Sequence, residues 1–288
     1  MTLEFKNVTK NYGKKQALQS FSQVLQPGVY GILGPNGAGK STLMNLITDN
    51  IKRTSGQILY EGEDILKLGR KFRKVLSYMP QQQGIYEQFS AVRFLYYVAA
   101  LKEIPRKEAK RQIEEYLDMV GLSYAAGQKL GSFSGGMKQR IMFAAAMLGD
   151  PKVLLLDEPT AGLDPEERIH IRNYISKVAG NRIILMATHV VSDIECIANK
   201  IILIQGGKLL KEKSPYELIE ELDDKIYERE CTYEEIESLS EQYPKGNIRQ
   251  GKEKLIFRVV MDEQPQGFVK SQREGNLEDV YLYHFERQ

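Results

Sequence analysis

Cysteine is nearly absent from this 288-residue chain, which carries only Cys196 and Cys231. Two thiols cannot build a disulfide framework, and such low usage fits a reducing compartment. No stretch approaches the roughly 18 consecutive apolar residues of a membrane span. Residues 1–10 alternate polar and apolar side chains, without the apolar core of a secretory signal. A dominant charge is missing as well: 40 Lys and Arg face 38 Asp and Glu, a formal net charge of +2. That balance offers no general attraction to nucleic acid or an anionic membrane, so a polyanion has to be met by a local site. Internal repeats and low-complexity tracts are also lacking. A secreted toxin, a channel and a disordered scaffold are excluded, and a soluble cytoplasmic protein is expected. With 42% hydrophobic and 27% charged residues, the composition is that of an ordinary globular protein. The length suits one large domain or two modest ones.

What is present is an alternation of strand-like and helix-like segments. Leu3, Phe5 and Val8 suggest an edge strand, with Phe21, Val24 and Leu25 in its hairpin partner. The runs 29–33, 153–156 and 182–187 are almost wholly apolar. Strands covered on both faces by crossover helices read that way. Between them, 106–120, 136–148 and 165–178 have helical patterns, the last opened by Pro165. The fold class expected is therefore α/β, with a largely parallel sheet. A hairpin through Gly206-Gly207 and a short helix at 215–222 follow. Residues 224–288 read as a small α+β extension, with helix starts suggested by Thr232 with Glu235 and Asn276 with Asp279. The domains expected are 1–222 and 223–288.

Gly34-Pro35-Asn36-Gly37-Ala38-Gly39-Lys40-Ser41-Thr42 has the G-x-x-x-x-G-K-[ST] spacing of a phosphate loop. Its glycines let successive backbone N–H groups turn inward around phosphate oxygens. Lys40 then reaches the terminal phosphates, the Ser41 hydroxyl suits Mg²⁺, and the following helix presents its positive end. The strand before the loop and the helical pattern after it supply the right context for nucleotide binding.

Further along, Leu154-Leu155-Leu156-Asp157-Glu158-Pro159 places two acids at the C-terminal end of a buried strand, where ligands bind in open α/β sheets. Asp157 suits Mg²⁺. Glu158, one residue on, points the other way and can polarise an attacking water. Phe133-Ser134-Gly135-Gly136-Met137-Lys138-Gln139-Arg140 is the most discriminating stretch, because a serine and two glycines open a helix and make a second anion cradle. With Ala161-Gly162-Leu163-Asp164 and His189 in the same order, the chain resembles the ATP-binding cassette (ABC) family of transporter ATPases over about residues 1–222. It departs from the commoner Leu-Ser-Gly-Gly-Gln signature at Phe133 and Met137.

The resemblance implies a P-loop NTPase fold with an antiparallel β subdomain and a helical subdomain at about 84–150. It implies a head-to-tail dimer, homo- or heterodimeric, with two ATP molecules at the interface. Ser134, Gly135 and Gly136 would face the partner's γ-phosphate, and Asp164 would couple the two sites. His189 would contact the γ-phosphate and Tyr12 would stack on adenine. In Pro80-Gln81-Gln82-Gln83, Gln81 matches best the glutamine that meets Mg²⁺ and the attacking water. The aromatic segment 84–102, with Tyr86, Phe89, Phe94, Tyr96 and Tyr97, would open the helical subdomain that meets a membrane partner.

The function expected is an ATPase subunit, using ATP and Mg²⁺, that drives a separate integral membrane permease from the inner face of the cell membrane. No nucleic-acid partner is expected. Residues 276–282 resemble the ending of bacterial ABC-2-type exporter ATPases and point to export. The alternative is a soluble cassette ATPase acting on ribosomes, DNA or cofactor assembly. Translation-type relatives carry two cassettes per chain, and DNA-repair relatives insert coiled coils or zinc modules; neither feature is found here. A small-molecule kinase would have no use for Ser134-Gly135-Gly136.

Overall fold

Alternation of side chains across a sheet covered on both faces explains the centre of this protein. The computed structural model describes residues 1–81, 84–252 and 254–285, and the chain divides into two compact units, Met1–Glu212 and Lys213–Gln288. The first unit holds a six-stranded sheet in the order Lys208–Lys213, Lys200–Gln205, Gly28–Leu33, Ile183–Ala187, Val153–Asp157, Leu76–Met79. The last five strands are parallel. Leu154, Leu156, Ile184 and Met186 enter one apolar core, while Val153, Leu155, Ile183 and Leu185 enter another. Successive residues of a strand point to opposite faces, so two apolar faces produce an unbroken apolar run.

One core is completed by the helices Ala91–Leu101, Arg106–Met119 and Gly135–Met147, through residues such as Leu95, Ile113 and Ile141. The other is completed by the helix Lys40–Ile47 and an antiparallel sheet, through Leu43, Phe5 and Phe21. That second sheet has the order Lys15–Leu25, Leu3–Tyr12, Ser55–Tyr60, Glu63–Asp64. Leu3–Tyr12 is therefore not the edge strand expected, because Ser55–Tyr60 pairs along its other side. Only Ile58 and Leu59 of that neighbour are buried, too few to leave a strand signal.

The second unit begins at residue 213 rather than 223. The helix Pro215–Glu220 buries Leu218 and packs against Leu277–His284 of the same unit. Its sheet is antiparallel, in the order Asn247–Gln250, Leu255–Val260, Ile226–Cys231, Val269–Lys270. Phe257, Phe268 and Leu239 form its core. Asn276 and Asp279 make the reciprocal capping box expected. Thr232 does not cap a helix: the helix Ile236–Gln242 starts later, and Thr232 donates its N–H and hydroxyl to Glu235 in the preceding turn. Among the described residues no helix is long and apolar enough to cross a membrane.

Candidate nucleotide site

Parallel strands deliver their C-terminal ends to one edge of the sheet. Gly28–Leu33 runs into the glycine loop, Val153–Asp157 ends on the acids, Ile183–Ala187 leads to Thr188-His189, and Leu76–Met79 leads to Pro80-Gln81. A cavity of about 750 Å³ opens there. Residues 36–42 of the loop line it together with Tyr12, Gln81, Asp157, Glu158 and His189. Five separate segments of sequence thus meet at one site. Gln82 and Gln83 lie outside the described residues.

The loop is shaped by glycine. Gly39 has φ +115° immediately before the helix Lys40–Ile47, and a Cβ there would sit 2.7 Å from the Ala17 carbonyl. No other residue fits that backbone without strain. Gly34 and Pro35 do not line the cavity but accept from Lys40, whose Nζ lies 2.5 Å and 3.1 Å from their carbonyl oxygens. Burial lowers the Lys40 pKa, and the nearby Glu158 and Asp157 pull it only part of the way back.

The acids are held from both sides. Burial raises the Asp157 pKa; the Tyr78 hydroxyl, 3.2 Å from Oδ2, opposes the rise, Glu158 adds to it and Lys40 opposes it. Glu158 stands at φ +53°, a left-handed conformation that costs a non-glycine residue energy. Its N–H donates to the Ala187 carbonyl at 2.8 Å, which fixes that turn. The carboxylate accepts from the Thr188 hydroxyl at 2.9 Å and the His189 N–H at 3.1 Å. His189 Nδ1 lies 2.9 Å from Glu158 Oε1. Asp157, Glu158, Thr188 and His189 therefore form one constellation.

Ser41, Gln81 and Asp157 bring a hydroxyl, an amide and a carboxylate to the same cavity. This hard-oxygen set fits Mg²⁺, which takes few protein ligands and completes its shell with water and substrate phosphate. Tyr12 is about half exposed, with the Lys10 ammonium 4.8 Å from its ring centre.

Ser134, Gly135, Gly136 and Asp164 do not line this cavity. Ser134 caps the helix Gly135–Met147, its hydroxyl accepting from the Met137 N–H. Gly136 makes room for Glu167, whose side chain would lie 2.5 Å from a Cβ at that position. Asp164 caps the helix Pro165–Val178. Gln139, on the helix Gly135–Met147, ties that helix to the segment after the acids by donating to the Pro159 carbonyl at 2.6 Å.

Sequence reasoning missed Lys15 and Ala17, which line the cavity, and also Tyr78 and Thr188. Lys15 faces Tyr12 across the hairpin, so the tight turn at Gly13 was a usable signal. Tyr78 and Thr188 are ordinary strand and loop residues that only the tertiary pairing brings to the acids.

The family model described as ABC transporter matches residues 18–161. ABC transporter A family member 8 of Dictyostelium discoideum is 35% identical over 192 residues, 66% of this chain. The chain spans only 23% of the length of that relative. Nod factor export ATP-binding protein I of Rhizobium etli is 30% identical over 97% of this chain and 92% of its own length. Among solved structures, cbiO1 from Clostridium perfringens, described as part of the ABC transporter complex cbiONQ, is 27% identical with TM-score 0.69. It covers 76% of this chain and 90% of its own. On the family model and on the Rhizobium relative, similar over nearly its whole length, the chain belongs to the ABC transporter family.

Proposed function

We propose that this protein is the ATP-hydrolysing subunit of an exporter, working as a cassette dimer on a separate integral membrane permease. The observation that carries the reading is the convergence of Lys40, Ser41, Gln81, Asp157, Glu158 and His189 on one cavity. Adenine stacks on Tyr12. Backbone N–H groups of residues 36–42 and the Lys40 ammonium hold the phosphates. Ser41, Asp157 and Gln81 would hold Mg²⁺, which would supply neutralisation of the phosphate charge that develops in the reaction. Glu158 takes the proton of the attacking water as ATP and water become ADP and phosphate. His189 contacts the γ-phosphate and keeps its hydrogen bond to Glu158.

Ser134, Gly135, Gly136 and Asp164 lie outside their own chain's cavity, which supports a role on the ATP held by a second cassette. Tyr86, Phe89 and Tyr97 pack ring against ring in the segment after Gln81, with Tyr86 half exposed and Arg93 over Phe89. That surface supports docking of the permease, and with it a place on the inner face of the membrane. The Rhizobium relative, named for export and aligned through the second unit as well, supports the direction.

Two measurements test this. The purified chain is expected to hydrolyse ATP only with Mg²⁺, and no turnover under any condition would remove the ATPase. Tagged chain extracted in mild detergent is expected to bring one integral membrane protein in fixed ratio. Ribosomes in its place would remove the transport role.

A further inference from the structure

We infer that Tyr78 and Thr188 are positioning residues that assign separate tasks to the adjacent acids, Tyr78 turning Asp157 toward the metal and Thr188 turning Glu158 toward the attacking water. The inference rests on the ATPase reading above. Asp157 ends the strand Val153–Asp157 and Glu158 follows it; that strand lies between Leu76–Met79 on one side and Ile183–Ala187 on the other. Each neighbour contributes one hydroxyl to the acid on its side.

Tyr78, on the first neighbour, donates to Asp157 Oδ2 at 3.2 Å. Thr188, just past the end of the second, donates to Glu158 Oε2 at 2.9 Å. Thr188 is 1% exposed, and its oxygen already accepts from the Val190 N–H at 3.0 Å. A hydroxyl has a single proton to give, so that proton is committed to Glu158. Glu158 stands at positive φ; Thr188 holds its Oε2 while the His189 N–H and Nδ1 meet its Oε1. Without the Tyr78 hydroxyl the Asp157 carboxylate loses that anchor, and without Thr188 the Glu158 carboxylate is held by His189 alone. The Tyr78 bond to Asp157 Oδ2 and the Thr188 bond to Glu158 Oε2 define where the remaining lone pairs point. Groups that orient a ligand or a base in this way are typically worth about 10- to 100-fold in affinity or rate.

A purely structural role for these hydroxyls predicts a general loss of stability. A positioning role predicts two different functional losses. The test uses the full chain with Tyr78→Phe, Thr188→Val, Thr188→Ser and, should the valine variant fail to fold, Thr188→Ala. Nucleotide binding is titrated with Mg²⁺ using a fluorescent ATP analogue, and kcat and KM are measured separately. Tyr78→Phe is expected to raise the Mg²⁺ half-saturation about 10-fold. Thr188→Val (or Ala) is expected to leave that half-saturation and KM unchanged and to lower kcat about 10-fold or more. Thr188→Ser is expected to restore kcat.

The inference is overturned if both variants change the same quantity by the same factor, if neither changes anything, or if serine fails to rescue. Losses that follow melting temperature alone also overturn it. Glu158→Gln run alongside separates the two levels of argument. Wild-type turnover in Glu158→Gln would remove the ATPase assignment itself. A stalled Glu158→Gln with wild-type turnover in Thr188→Val would remove only the positioning role.

Discussion

The two units each contain a cluster of opposite charges, and the clusters are built in opposite ways. In the first, Lys40 leans on neutral carbonyls and the acids face a cavity. Burial lowers the pKa of the lysine and raises that of Asp157. In the second, every nitrogen of Arg258 has a partner: Asp279 at 2.7 Å and 3.0 Å, Glu228 at 2.7 Å, and Ser271 and the Glu274 carbonyl. Burial works against that arginine too, but Asp279 and Glu228 reverse it and the pKa rises. Folding alone satisfies the second cluster, whereas the first carries a charge penalty that a ligand of phosphate and Mg²⁺ would relieve. A buried charge compensated by its own chain is structural. One left uncompensated at a cavity is a binding site.

Substitutions should therefore separate function from stability along the same line. The largest effect is expected from Glu158→Gln. Size and shape are kept, the proton-accepting carboxylate is lost, and turnover should fall by about 10²–10⁴. Nucleotide binding and melting temperature should hold. Sizing chromatography with Mg-ATP should show more dimer, because unhydrolysed ATP stays between the cassettes. Turnover at the wild-type rate would break the contrast at its functional end.

Next comes Arg258→Met in the second unit. Asp279 and Glu228, 5% and 12% exposed, would keep their burial and lose their common donor. Removing one member of such a network costs about 3–5 kcal/mol. Hydrogen exchange in Leu255–Val260 should report it, while ATP affinity stays unchanged. Equal protection in wild type and variant would show the network to be replaceable.

These two clusters were not equally legible. Spacing singles out Lys40 and Ser41, and the apolar run before Asp157 and Glu158 singles out those acids at a strand end; all four line one cavity. Runs such as 153–156 disclose a sheet covered on both faces. Arg258, Glu228 and Asp279 lie on a strand, a neighbouring strand and the last helix, and nothing in their spacing predicts that they meet. Tyr78 and Thr188 were hidden for the same reason. Ser55–Tyr60 escaped because it buries too little to show a pattern, and Thr232 misled because its bond to Glu235 satisfies a turn as well as a cap.

A smaller effect is expected from Asn276→Ala. The side chain accepts from the Asp279 N–H at 3.0 Å, and Asp279 in turn accepts from the Asn276 N–H. Loss of the cap should cost about 0.5–2 kcal/mol, read as faster exchange in Leu277–His284. Because Asp279 also holds Arg258, combining Asn276→Ala with Arg258→Met should cost less than the two separate losses added together. Strict additivity would mean that cap and network act independently.

The smallest effect, and the sharpest comparison, is the response to pH. Burial alone would raise the Glu228 pKa, but Arg258, Ser271 and Arg249 outweigh it and leave it below the ordinary 4.5. A depressed folded pKa contributes stability that is present above the ordinary value and lost as pH falls through the folded one. Asp157 has the opposite sign. Its folded pKa lies above 3.8, so the folded state takes up a proton first and its penalty fades as pH falls between those two values. Lys40, lowered from 10.5, behaves in parallel at the alkaline end: the folded state releases its proton first, so stability rises with pH across that interval. Neutralisation thus relieves the nucleotide site and weakens the network of the second unit. Hydrogen exchange corrected for intrinsic rates, followed in Val153–Asp157 and Leu255–Val260, should show the second segment losing protection first on acidification. Glu228→Gln should remove its share of that acid-dependent loss, and Asp157→Asn should remove the opposing gain in the first. Saturating Mg-ATP should reverse the sign in Val153–Asp157 alone, since a bound cation makes the charged Asp157 the favoured form. A shift of the same sign in both segments without nucleotide would mean that the two clusters are built alike after all.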